Sequence, residues 1–277
     1  MPLPTIHPTT AQFANFPVFE ACTLLKQEPM EFFGISMDYV QLCPQTPDIL
    51  TEETLTELKN TFPDTRFQLH ANVRVQPVRR VLDASSYTTH TRWYYERLGE
   101  LSAFLNAPAY SLHSGYRQNC SMQTLFRNLE AIQTLFEMPV LVEGMYPTKK
   151  GPKEYLMSTW KEYIMVMNSG FPYAIDLSHL NIVSKQEGIR PDIVFTLIAN
   201  SNCKEVHISH NNGKHDAHRI ITEHIWKDLW WKEAWLAALR ERTIEDQPIH
   251  FTEGLHKTRS HKRNIIPSPK IHQKRQV

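Results

Sequence analysis

The stretch PYAIDLSHLNIVSKQEGIRPDIVFTLIANSNCKEVHIS, residues 172–209, sets the fold. PYAIDL (172–177) and KEVHIS (204–209) are short apolar runs bounded by Pro, Asn and Asp, the mark of buried strands. Between them Pro191 occupies a first helical position ahead of DIVFTLIA. Strand, helix, strand over about 30 residues is the unit of a parallel sheet. Working outward, strands are expected at EFFGISMDYV (31–40), RFQLHA (66–71), AYSLHS (109–114), PVLVEG (139–144) and PIHFTEG (248–254). Helices fill the gaps. Thr51 with Glu52 and Glu53 opens one that carries Leu55, Leu58 and Phe62 at helical spacing. Tyr94, Leu98, Leu101 and Leu105 make a second stripe, and Leu125, Leu129, Ile132 and Phe136 a third. Tyr155 to Met167 and the tryptophan-rich IWKDLWWKEAWLAAL (225–239) continue the pattern. With an eighth strand placed near FPVFEAC (16–22), the chain reads as a single (β/α)8 TIM barrel over residues 1–255, of α/β class.

The last residues of these strands carry the chemistry. They are His70, His113, Glu143, Asp176, His207 and Glu253. His179 follows Asp176 by one helical turn, and Asp216 and His218 lie in the loop after His207. In a barrel the carboxyl ends of the strands converge on one mouth, where active sites are built. A lone histidine there is usually a hydrogen-bonded loop residue, Asp176 alone could cap a helix, and Asp216 could serve a turn. Glu143 and Glu253 are harder to dismiss, because a carboxylate entering a crowded mouth needs a cation or donors. Metal-ligating residue types at equivalent places on six consecutive strands favour metal binding. Nine ligands exceed what one ion takes, so two or three ions bridged by Glu143 and Glu253 are expected. Mixed imidazole and carboxylate suits iron, zinc or manganese. His210, Asp176 and Glu253 are the candidate catalytic groups, and His215 is a spare loop histidine.

The bulk composition fits a globular enzyme: 277 residues, 41% apolar and 21% charged. No run of about 18 apolar residues is present, so no membrane span is expected, and the N-terminus lacks a signal-peptide pattern. Cys22, Cys43, Cys120 and Cys203 are scattered and form no CxxC, as in a reduced cytoplasmic protein. The net charge of +1 hides an asymmetry. Residues 256–277 hold seven Lys/Arg and no acid, read as a basic, flexible tail, and the body holds 23 Lys/Arg against 29 Asp/Glu. A nucleic-acid enzyme needs a basic face, so this balance argues against a nucleic-acid partner. Arg74, Arg79 and Arg80 form the one basic cluster near the site, suited equally to a peptide carboxylate. The tryptophan-rich helix reads first as packing under the last strands; Trp230 and Trp231 cannot share one helical face, so one of them is also a candidate for an exposed partner contact.

The order His, His, Glu, Asp-x-x-His, His, Asp-x-His, Glu resembles the xylose-isomerase-like barrel superfamily. Its nine-ligand form is shared by the endonuclease IV family, which uses three zinc ions, and by the multinuclear non-haem iron family of the methanobactin-biosynthesis type. LHANVRV, LVEGMYP, EVHISHNNGKHDAH, ITEHIWKDLWWKEAW and PIHFTEGL are similar to the second of these over residues 66–254. That resemblance implies an oxidoreductase with two or three iron ions, oxidising a cysteine of a ribosomally made peptide presented by a small partner protein. It implies His70, His113 and Glu143 on one ion. Glu143, Asp176, His207 and Glu253 would hold a second, and His179, Asp216 and His218 a third. Endonuclease IV-like zinc phosphodiester cleavage at abasic DNA is the alternative, and a metal-dependent sugar isomerase or epimerase is a further one that leaves five ligands idle.

Overall fold

The computed structural model describes residues 3–27, 33–77, 80–148 and 154–255. The expected tail at 256–277, Arg79, and the start of the run 31–40 lie outside the described residues. Eight strands and nine helices alternate along the described chain. In order these are β1 (Ile6–Pro8), α1 (Val18–Gln27), β2 (Tyr39–Leu42), α2 (Glu52–Thr61), β3 (Arg66–Leu69), α3 (Arg92–Phe104), β4 (Tyr110–His113) and α4 (Met122–Gln133). Then come β5 (Val140–Glu143), α5 (Trp160–Ser169), β6 (Tyr173–Asp176), α6 (Leu177–Glu187), α7 (Pro191–Ala199), β7 (Cys203–Ile208), α8 (Glu223–Lys227), α9 (Lys232–Arg240) and β8 (Ile249–Thr252).

All strand pairs are parallel. Six strands run β1-β8-β7-β6-β5-β4, and β2 pairs with β3 as a separate two-stranded panel. The panel joins the rest through two isolated bridges, Thr9 with Gln41 and His70 with Ser111, which close the cylinder. The fold is an α/β (β/α)8 barrel.

Side chains alternate across each strand. The outward set, including Val40, Leu42, Phe67, Leu69, Leu112, Val142, Ile175 and Val206, is buried under the helices in one apolar core. The inward set forms tiers. One tier holds Gln41, Gln68, Ser111 and Glu205, all buried. Two residues further along the same strands stand Cys43, His70, His113 and His207. A two-residue step on a strand returns to the same face, so every expected strand-end ligand sits one tier above an inward neighbour.

Local signals behave as their chemistry predicts in several places. Thr51 caps α2 by accepting from the Thr54 amide at 3.3 Å. Pro191 opens α7 at its first position.

Three expectations are corrected. FPVFEAC is the start of α1, not a strand: Val18, Ala21, Cys22 and Leu25 are buried at a spacing that only a helix gives. The first strand is Ile6–Pro8, three residues long. The tryptophan-rich run is also not one helix. It breaks at Asp228 into α8 and α9. The break turns Trp231 inward, where it is 1% exposed and packs edge-on against Trp235 at 5.8 Å, while Trp230 is half-buried and donates from Nε1 to Asn181 Oδ1 at 2.8 Å. Neither is an exposed partner contact. Trp231→Ala should therefore cost about 3–5 kcal/mol of stability, read by denaturant unfolding.

Candidate metal centre

The nine expected ligands come together at the carboxyl end of the barrel. Glu143, at the end of β5, is the hub. Its Oε2 faces His70 Nε2 at 3.3 Å and His113 Nε2 at 3.8 Å. Its Oε1 faces His207 Nδ1 at 3.5 Å and His179 Nδ1 at 3.7 Å. Glu253, just past β8, faces His207 Nδ1 at 3.5 Å through Oε1 and His218 Nδ1 at 3.1 Å through Oε2. Asp216 Oδ2 lies 2.8 Å from His218 Nε2 and 3.4 Å from His179 Nε2.

Four groups place ligand atoms within 4.8 Å of one another: His70, Glu143 and His207; His179, Asp216 and His218; Glu143, Asp176 and His179; and Asp176, His218 and Glu253. The third expected triad occurs as such. His207, expected with Glu253, also groups with His70. His113 is the outlying member, with a side chain 29% exposed, 3.8 Å from Glu143 and edge-on to His70 at 5.3 Å. His210 is not drawn into these groups. It is half-buried, its backbone pairs with Arg219, and its Nδ1 has no hydrogen-bond partner.

Second contacts fix which atoms face the centre. Asp176 is both strand end and helix cap: its Oδ1 accepts from the Ser178 amide at 2.6 Å and from the His179 amide at 3.3 Å. That leaves Oδ2 buried with no partner. His179 Nδ1 donates to the Gly144 carbonyl at 2.8 Å, so Nε2 is the nitrogen that faces Asp176 and Asp216. Gly144 is required there, because a Cβ would lie 2.1 Å from the Tyr163 ring. His70 Nδ1 bonds Ser111 Oγ at 2.9 Å, leaving Nε2 toward Glu143.

The residue that sequence reasoning missed is Glu205. It lies two positions before His207 on the inward face of β7 and is fully buried. Its Oε1 accepts from Gln41 Nε2 at 2.8 Å, Ser111 Oγ at 2.8 Å and His207 Nε2 at 2.6 Å, and its Oε2 accepts from Gln68. Glu205 thus holds His207 by one ring nitrogen and aims Nδ1 at Glu143 and Glu253, an outer carboxylate gripping a ligating imidazole. The signal was the i, i+2 pairing in EVH, which reads as a solvated charge until the inward face is known.

Electrostatics give a test of fit. Among the described residues no Lys or Arg pairs with Glu143, Asp176, Asp216 or Glu253. Arg74 is spent on the carbonyls of Gln76, Pro47 and Pro77 and Arg80 is exposed, so neither of these two arginines of the expected cluster pairs with the site's carboxylates. Glu143 Oε2, Asp176 Oδ2, His207 Nδ1, Asp216 Oδ1 and His218 Nδ1 are buried without hydrogen-bond partners. Five ligand atoms without hydrogen-bond partners, around four carboxylates that face no Lys or Arg among the described residues, fit divalent cations, which suit this mixed donor set.

Burial pushes His70 down to about 4, against the pull of Glu143, so it is a neutral imidazole ready to ligate. Burial also opposes charge on His179, but Asp176, Asp216 and Glu143 outweigh it and raise its pKa to about 10. His207 and His218 are raised against burial in the same way, by Glu143 and Glu253 for His207 and by Asp216 and Glu253 for His218. Burial raises Glu253, yet His207 and His218 hold it down at about 2. Without metal, then, protons on imidazoles balance the carboxylates. His179 is protonated below pH 10 in that state, and a metal on Nε2 must displace the proton. Loading at pH 7 should release protons, and affinity should rise about tenfold per pH unit for each proton displaced. Calorimetry in two buffers of different ionisation enthalpy measures the number; zero release would contradict these shifts.

No protein-family model matches the chain, and no curated protein sequence matches it. Solved structures do. A D-tagatose 3-epimerase-like protein aligns at TM-score 0.63 and 14% identity, over 91% of this chain and 92% of that one. The 3-keto-D-glucoside 4-epimerase from E. coli aligns at TM-score 0.58 and 12% identity, covering 92% and 93%. The AP endonuclease, family 2 from Brucella melitensis aligns at TM-score 0.57 and 13% identity, covering 91% and 93%. These likenesses show the fold alone, a (β/α)8 barrel. These neighbours are epimerases and an endonuclease, not oxidoreductases, which overturns the expectation of an oxygen-using oxidoreductase. Nothing supports iron or a peptide substrate in particular. Among the described residues no helix is long and apolar enough to cross a membrane.

Proposed function

We propose that this chain is a metal-dependent hydrolase of phosphate esters. The observation that carries the reading is the linked ligand set, in which Glu143, Asp176, His179 and His218 each belong to two of the four metal-competent groups. A single-ion isomerase would need Glu143, Asp176, His207 and Glu253 and would leave His70, His113, His179, Asp216 and His218 without a task. Adjoining cations suit in-line displacement at phosphorus, where bound ions supply a hydroxide at neutral pH and neutralise charge on the attacking and leaving oxygens.

The chain's own residues do the rest. Glu205 and Ser111 fix the rings of His207 and His70, and Gly144 fixes His179. Glu143, Asp176 and Glu253 are 5% exposed or less, so water reaches the centre mainly past His113 and the Asp216–His218 side, whose side chains are 29%, 15% and 21% exposed. A phosphate entering there meets its opening rather than its floor. The acid-rich body and the engaged Arg74 support a compact phosphate ester over a long duplex.

One observation favours a second reading, a sugar epimerase: Glu143 and Glu253 both face His207 from neighbouring sides, as a pair of carboxylates on one ion would. Both are tested with protein loaded with zinc or manganese, offered bis(p-nitrophenyl) phosphate, an abasic duplex and ketohexoses. Hydrolysis of the small diester supports the proposal. Inversion at a sugar carbon without ester hydrolysis replaces it with the epimerase.

A further inference from the structure

The ligands are carried in two ways. His70, His113, Glu143, Asp176, His207 and Glu253 stand at or beside strand ends, fixed by the ladders of the barrel. His179, Asp216 and His218 do not. His179 is on the first turn of α6, and the other two lie on the irregular segment between β7 and α8. No named strand runs through that segment among the described residues; it carries two isolated bridges, Arg219 with His210 inside the segment and Arg219 with Leu255 beyond β8. His218 itself sits at φ 37°, a left-handed backbone that costs a non-glycine residue energy and must be imposed by its surroundings.

One side chain fastens the segment to α6. Asn211 is 1% exposed. Its Nδ2 donates to the Ser178 carbonyl at 2.8 Å, next to His179 in sequence. Its Oδ1 accepts from the Gly213 amide at 2.8 Å and from Asn181 Nδ2 at 2.9 Å. Asn181 Oδ1 in turn accepts from Trp230 Nε1 at 2.8 Å, which ties the clasp to the stretch between α8 and α9. Gly213, at φ +73°, lies so close to α6 that a Cβ would fall 2.2 Å from Lys185 Cγ. The amide and carbonyl partners leave Asn211 one orientation, because only its oxygen can accept from Gly213 and only its nitrogen can donate to Ser178. The asparagine thereby spaces Asp216 and His218 from His179 through the backbone that it holds on both sides.

We infer that Asn211 is the positioning residue of a third metal subsite, formed by His179, Asp216 and His218, which loads separately from the strand-borne ligands. The inference rests on the multi-ion reading of the site, and its test reads metal binding rather than hydrolysis. The full chain, stripped by chelation and titrated with zinc, is followed by calorimetry and by elemental analysis after gel filtration. Wild type should take up three ions. Asn211→Ala should take up two with wild-type affinity and the last one roughly 10- to 100-fold more weakly, the range for loss of an outer-shell partner. Uptake of all three with unchanged affinity overturns the inference, and so does a uniform weakening of all three, which marks a general structural role. Should Asn211→Ala fail to fold, Asn181→Ala removes one arm of the clasp and keeps the bonds to Ser178 and Gly213. Selective weakening of one ion then supports the inference, and no change or uniform loss overturns it. Three ions in wild type without ester hydrolysis sinks the hydrolase reading alone.

Discussion

Glu143→Gln should strip the centre of most of its metal. One carboxylate there faces four imidazoles within 3.8 Å, more than any other carboxylate among the described residues. The amide keeps the volume but loses the charge and one acceptor. Two of the four ligand groups contain Glu143, and both lose their only or bridging anion. The expected metal content falls from three ions to one, held by His179, Asp216 and His218. Hydrolysis should fall by at least about 10³-fold, which is about 4 kcal/mol of transition-state stabilisation. Elemental analysis and a diester assay check both halves. Full metal content with an unchanged rate would remove Glu143 from the centre of the argument.

The second large effect belongs to a residue that touches no expected ion. Glu205→Ala removes the acceptor shared by Gln41, Gln68, Ser111 and His207 in the middle of the barrel. The donors cannot reach water there. Breaking a buried, hydrogen-bonded charge cluster on one side costs about 3–5 kcal/mol. For a chain of this size that lowers the melting temperature by roughly 6–20 °C. His207 loses its hold at Nε2, so metal affinity should also drop about 10- to 100-fold. Thermal unfolding of the metal-free protein separates the two effects, since only the first persists without metal. A variant as stable as wild type would mean that the inner tier is not a closed network.

How much of this was legible beforehand depends on which face of a strand a residue occupies. VLVE and YAID announce themselves, because a carboxylate after three apolar residues has nowhere to go but the mouth. The ligand positions are therefore readable. Glu205 is not, since a charge between Lys204 and Val206 looks solvated until the strand is known to line the interior. β1 is hidden by its length, as three residues ending in Pro8 give no period to detect. FPVFEAC misleads because a seven-residue window stops short of Leu25, which completes the helical spacing of Val18, Ala21 and Cys22. The tryptophan pair misleads for another reason: a helical wheel assumes one axis, and the chain changes axis at Asp228. Chemistry was the least legible level. The same ligand types at the same strand ends serve cations of different kinds and reactions of different classes, and nothing in their spacing separates them.

The seams of the cylinder have an outcome of their own. β2 and β3 share a full ladder with each other but are stitched to β1 and β4 by one bridge apiece. A stave held at two rivets is where a cask parts first. His70 is one of those rivets and at the same time a ligand, bonded through Nδ1 to Ser111 across the gap. An ion on His70 and Glu143 would therefore act as a clamp across the join, and the wall of the barrel and the occupancy of its mouth would tighten or loosen together.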